Sequence, residues 1–150
     1  MNKITKLKKN VNVIYKMFPI LKNNNIKVTL VNADNMFVGI FRTFPVGDGI
    51  GKRIELNARY FLNKNIKFIR VVLLHEIAHA IDFILSGGWR LDENGQYVEH
   101  DETFKMICDN LGIPFLTGYS ELCSNHLGVP KKINGLRYTD FDVSLVGQEF

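Results

Sequence analysis

Cysteine is scarce in this 150-residue chain. Cys108 and Cys123 are too few for a disulfide framework or a four-cysteine zinc ribbon. No apolar run is long enough to cross a bilayer, because the longest, near residue 71, is cut by Lys67, Arg70, His75 and Glu76. The N-terminus is lysine-rich, but Asn12 and Lys16 interrupt it, so it does not read as a secretory signal. No repeat, low-complexity tract or interdomain linker is present. These absences make a reducing cytoplasm the expected location. Fifteen Asn with abundant Lys and Ile are the composition of an AT-rich genome, bacterial or phage.

Acid is missing from one region altogether. Residues 1–33 carry seven lysines and no Asp or Glu; the remaining 12 basic residues face all 15 acids, a net of −3. The overall charge of +4 therefore belongs to the N-terminal fifth. A nucleic-acid module basic throughout is disfavoured, while a basic arm bearing Lys3, Lys6, Lys8 and Lys9 is compatible with DNA or an acidic partner. A solvated helix face is the plainer reading of the same four residues. At 46% hydrophobic and 23% charged, the composition is that of one ordinary globular domain.

Apolar residues at Ile4, Leu7, Val11, Ile14 and Phe18 recur at helical steps, and Pro19 with Asn23–Asn25 ends that helix. Ile26–Val31, Met36–Phe44 and Arg53–Asn57 are rich in β-branched and aromatic residues. With turn chemistry at Asn32–Asn35 and Pro45–Gly51, they predict a three-stranded meander. Ile66–Leu85 is a nearly all-apolar helix ended by Gly87-Gly88. Asp92–Gly95 reads as a hairpin tip between Trp89 and Val98. A shorter helix runs from about Asp101 to Leu111, and another is expected near Ser120–Leu127. The fold class is α+β.

The chemistry concentrates in His75-Glu76-Ile77-Ala78-His79, an H-E-x-x-H motif. Residues 75 and 79 lie about 40° apart and one turn along a helix, so both imidazoles can reach one ion. Glu76, about 100° round, sits beside the ion, placed to take a proton from a metal-bound water and return it to a leaving amine. His75, His79 and Asp82 form a polar stripe on an otherwise apolar helix, and a buried stripe needs partners. Asp82 is a candidate partner for a ring N–H of His75 or His79.

A catalytic zinc requires a third protein ligand. Asp82 and Leu85 stand where the extended H-E-x-x-H-x-x-G-x-x-H pattern requires Gly and His, so that subclass is excluded. Glu99-His100-Asp101-Glu102 supplies the candidates. Phe104, Ile107 and Leu111 form the buried stripe of the next helix, and one turn back lies His100. This favours His100, with Glu99 and Glu102 as alternative ligands. Tyr97, Tyr119, His126 and Tyr138 are candidate donors to a tetrahedral intermediate. Cys108 and Cys123 with His126 lack a fourth ligand and read as structural.

Three stretches, Arg53–Asn57, Leu74–Ala80 and His100–Lys105, resemble the SprT-like zinc metalloprotease family, which includes the Spartan DNA–protein crosslink proteases. The resemblance implies a zincin-like fold: a small antiparallel or mixed sheet of about three strands packed on the H-E-x-x-H helix, with N- and C-terminal helices. It implies one Zn²⁺ held by His75, His79 and His100, with Glu76 as general base and acid, and hydrolysis of protein substrates, some of them associated with DNA. His100 and Phe104 match the family's third-ligand stretch, whereas Asp101 replaces its usual Gly. Many relatives add a cysteine-rich zinc ribbon, and this chain is expected to be a short form without it. The expected organisation is one domain over residues 1–150, with a basic helix over 1–20, a catalytic core over 25–112 and a C-terminal extension over 113–150. Two other readings use the same residues: a Glu-ligand zincin of the anthrax lethal-factor type, and a non-catalytic zinc-containing module that docks nucleic acid through its N-terminal helix.

Overall fold

A computed structural model describes residues 3–32, 38–57, 66–112 and 115. In chain order the described elements are helices α1 (Lys3–Met17) and α2 (Pro19–Asn23), strands β1 (Lys27–Val31), β2 (Gly39–Val46) and β3 (Gly49–Asn57), then helices α3 (Ile66–Leu85) and α4 (Glu102–Leu111). The fold class is α+β, as expected. The helix expected near Ser120–Leu127 lies outside the described residues.

The strands do not form a meander. Their order is β1-β3-β2, with β3 central, antiparallel to β2 and parallel to β1. Connection length explains the difference. Only Gly47 and Asp48 separate β2 from β3, the length of a two-residue hairpin loop, whereas residues 32–38 separate β1 from β2. That longer separation allows β2 to take the opposite edge of β3 from β1. Pro45–Gly51 is likewise mostly strand, with the turn confined to Gly47-Asp48. Pro45 is tolerated because β2 is an edge strand. At the N-terminus, Pro19 does more than stop α1: it opens α2, where its missing N–H costs no hydrogen bond.

The core lies between the sheet and α3. Val28, Leu30, Ile54 and Leu56 from the sheet are fully buried together with Val72, Leu73 and Ile77 of α3, while Val11 and Ile14 bring α1 against the same core. α3 ends in a Schellman motif: Gly88 N–H donates to Phe83 O at 2.9 Å and Gly87 N–H to Ile84 O at 3.2 Å. Both glycines have positive φ, 72° and 144°, which a side chain would strain. Beyond them Leu91 pairs with Tyr97 across a hairpin closed by Asp92–Gly95. Asp92 Oδ1 accepts from the N–H groups of Asn94 and Gln96, which fixes that tip.

Candidate metal centre

Gly39 brings the sheet down onto α3. A Cβ there would meet Val72 Cγ1 at 2.7 Å and Glu76 Cγ at 3.3 Å, so only glycine allows this approach. Two residues on, the Phe41 N–H donates to Glu76 Oε2 at 2.9 Å. Glu76 is buried, and desolvation pushes its carboxyl up to about 8; the Phe41 N–H opposes that rise and nearby Glu99 adds to it.

His75 and Glu76 share one turn of α3 and His79 lies on the next, and the segment before α4 delivers His100 to them. His79 Nε2 lies 3.2 Å from His75 Nε2 and 3.0 Å from His100 Nε2. Burial lowers His75 to about 4 and His79 to about 2, with the neighbouring imidazoles adding to both shifts, so these rings are neutral at physiological pH. Three facing nitrogens are short of protons to share. A cation satisfies all three at once. Tetrahedral coordination at about 2.0–2.1 Å separates ligand nitrogens by about 3.3 Å, close to the two distances from His79, and all three ligand atoms lie within 4.8 Å of one another. Neutral imidazole is also the form that binds metal. The buried Nδ1 of His75 has no hydrogen-bond partner, so nothing fixes its proton there.

Phe104 holds the three rings in place. It is fully buried, stacks on His79 at 4.3 Å between centroids, and meets His75 and His100 in T-shaped contacts at 5.3 and 5.1 Å. His100 does meet Phe104, but it lies before the N-cap Asp101 with positive φ, so it reaches that ring from the segment ahead of α4 and not from one helical turn back. Glu99 lines the same cleft but is not part of the histidine cluster, and Glu102 is exposed on the first turn of α4.

Asp82 differs from expectation. It accepts no bond from His75 or His79. Its carboxylate is instead clamped by Arg90, whose Nε and Nη2 donate to Oδ1 and Oδ2 at 2.8 Å each, with Ser86 Oγ adding a third bond at 3.0 Å. The reason is reach: the hairpin folds Arg90 back over the end of α3, and a guanidinium fork matches a carboxylate better than an imidazole does. Arg90 also grips Asp101, at 2.6 and 2.8 Å. Asp101 in turn is the N-cap of α4, accepting from Phe104 N–H at 3.1 Å. His100 lies between these anchors with φ +56°, a conformation that costs a non-glycine residue about 1 kcal/mol and persists where its surroundings over-determine it. Nothing in the sequence marks Arg90 for this part. A lone arginine eight residues after one acid and eleven before another carries no periodic signal.

These groups open into one cleft of about 470 Å³, lined by β2 residues 39–43, by α3, and by the hairpin. Tyr97 lines it, whereas Tyr119, His126, Tyr138 and Cys123 lie outside the described residues. Cys108 is buried in the core beside Phe104. Lys8 and Lys9 are exposed on α1; the side chains of Lys3 and Lys6 lie outside the described residues. No described helix is long and apolar enough to cross a membrane. The model of the SprT-like family matches residues 23–123, more than half of the chain, and takes in the sheet, both site helices and the hairpin. No curated protein and no solved structure gives a significant match.

Proposed function

The chain belongs to the SprT-like family, and on that premise we propose that it is a zinc-dependent metalloendopeptidase. The observation that carries this reading is the convergence of three imidazole Nε2 atoms beside a buried carboxyl. His75, His79 and His100 would hold the ion. When bound, zinc supplies Lewis acidity toward the scissile carbonyl and makes a water nucleophilic at neutral pH.

The chain's own residues do the rest. Glu76 takes the proton released as water attacks and passes it to the departing amine. A cation held by the three histidines would favour the carboxylate form of Glu76 and so oppose the desolvation that raises its pKa, leaving a group able to act first as base and then as acid. The Phe41 N–H keeps it from swinging away. The substrate backbone lies extended along β2, the edge strand whose residues line the cleft. Exposed Lys8 and Lys9 give the enzyme an electrostatic hold on nucleic acid or an acidic partner, so protein bound to DNA is a fitting substrate. Equal cleavage rates with and without single-stranded DNA at low salt would remove that part of the reading.

Glu76→Gln tests the mechanism. Zinc should stay stoichiometric while peptide hydrolysis falls about 10²–10⁴-fold; unaltered cleavage would sink it. Zinc content in His100→Ala against Glu102→Ala tests the third ligand, and retained stoichiometric zinc in His100→Ala would reassign it.

A further inference from the structure

The wall of the cleft beyond His79 is aromatic. One turn along α3, Phe83 packs on Phe41 of β2 with ring centroids 5.6 Å apart, and Trp89 meets both, at 5.0 Å from Phe83 and 5.6 Å from Phe41. Tyr97, on the returning arm of the hairpin, continues the series at 5.6 Å from Trp89. The four rings grade from inside to outside: Phe41 and Phe83 are buried, whereas Trp89 is 39% and Tyr97 67% exposed. All four line the cleft that holds the three histidines.

Two details set this wall apart from scattered surface aromatics, which need no explanation. The Trp89 indole N–H donates to Thr43 Oγ1 at 3.2 Å. That satisfies the ring's one polar group and ties it to the edge strand, so what remains for a ligand is apolar face. Thr43 and Phe41 also lie two residues apart, on the same face of β2. A polypeptide added along that edge therefore turns every second side chain toward the rings.

We propose that Trp89 and Tyr97, backed by Phe41 and Phe83, form a substrate subsite for a large apolar or aromatic side chain near the peptide bond to be cut. This rests on the metallopeptidase reading and names the substrate class it serves: extended polypeptide exposing residues that a folded protein buries. Charge favours polypeptide over a stacked nucleotide base. The arginines lining the cleft, Arg42 and Arg90, are ion-paired to Glu55, Asp82 and Asp101, while Glu76 and Glu99 add acid to the lining. Sites that stack bases combine their aromatics with cations for the phosphates.

Trp89 is the single tryptophan of the chain, so its fluorescence reports on the subsite directly. The zinc-loaded Glu76→Gln protein is titrated with short blocked peptides identical except for one central residue, Phe, Leu, Lys or Gly. Phe and Leu peptides should shift the emission and bind about tenfold more tightly than Lys or Gly peptides, the discrimination expected of an apolar pocket. Tyr97→Ala, at a largely exposed position, should remove most of that difference with zinc content unchanged. Equal affinity for all four peptides would overturn the proposal, as would a response to oligothymidylate with none to any peptide. Cleavage-site profiles of wild type and Trp89→Ala on a denatured protein mixture give a second readout: enrichment of large apolar residues beside the cut in wild type, lost in the variant. Phe-selective binding by a chain whose wild type cuts nothing would preserve the subsite and refute the hydrolytic reading.

Discussion

Two clusters of three charged side chains sit on this fold with opposite stoichiometry. On the sheet, one carboxylate, Glu55, is held by Arg42 and by Arg53 at 3.1 Å. Beside the histidines one guanidinium, Arg90, is held by Asp82 and Asp101 at 2.6–2.8 Å. The first joins strands that backbone ladders already join, since Arg42 pairs with Arg53 and Ile40 with Glu55 in the β2–β3 register. The second joins the end of α3, the hairpin and the start of α4, and no ladder links these three. Apolar packing through Phe104 holds α3 to α4, but packing tolerates sliding where a bidentate fork does not. What an ion cluster contributes here depends on what else fixes its ends. The Glu55 cluster is largely redundant with the sheet, and the Arg90 cluster sets the register of His100.

Arg90→Ala should therefore produce the largest contrast. It leaves two carboxylates facing each other without a cation and releases the backbone around His100. Arg90 is neither a surface nor a fully buried partner, so the cost falls between those limits, about 2–3 kcal/mol in urea unfolding of the metal-free protein. Zinc affinity by chelator competition should fall about 10–100-fold, as when a residue supporting a ligand is lost. Arg90→Lys should recover part of the stability and less of the affinity, because an ammonium cannot fork onto two carboxylates. An unchanged zinc affinity in Arg90→Ala would break the comparison.

Asp101→Ala sharpens it. Losing the N-cap costs about 1 kcal/mol, and zinc affinity should drop less than in Arg90→Ala because Asp82 still anchors the hairpin. The acid limb of stability separates the two roles of Asp101. Hydrogen bonding to Arg90 holds its carboxyl down to about 2, so its contribution is complete above the unfolded value near 4 and is lost as pH falls through about 2. In the metal-free protein the gap in urea midpoint between wild type and Asp101→Ala should stay level above pH 4 and close toward pH 2. A gap that stays level from pH 4 down to pH 2 would mean that Arg90 does not hold the carboxylate in solution.

Most of the site was legible in the sequence because its signals are local. H-E-x-x-H fixes the spacing of two imidazoles on one helix, Phe104 and Leu111 point back to His100, and Gly87-Gly88 marks where α3 stops. The fold class was legible for the same reason. The order of the strands was not, because pairing partners of β1 are chosen by how far the chain travels through residues 32–38 before β2 begins, which periodicity does not encode. The Phe41–Glu76 bond and the Arg90 clamp were invisible on the same ground: each joins residues whose meeting depends on how separate elements pack. Asp82 shows the cost of reading a helix alone. Its position on the histidine stripe suggested an imidazole partner, but the hairpin delivered a better one.

The smallest expected effect is Arg53→Ala, and it tests the redundant half of the comparison. Arg53 is about two-fifths exposed, shares Glu55 with Arg42, and lies over the Phe44 ring at 4.8 Å. A half-exposed ion pair and a surface cation–π contact are each worth at most about 1 kcal/mol, and Glu55 keeps its other arginine after the substitution. The central strand also keeps its hydrogen bonds to β1 and β2. Unfolding stability should therefore fall by only about 0.5–1 kcal/mol, with zinc affinity unchanged, since the ion pair and the ring contact of Arg53 both lie within the sheet. A loss as large as that of Arg90→Ala would show that Glu55 depends on both arginines and that the ladder is no substitute for them. A loss of zinc would show that the sheet transmits strain to His75 through Gly39.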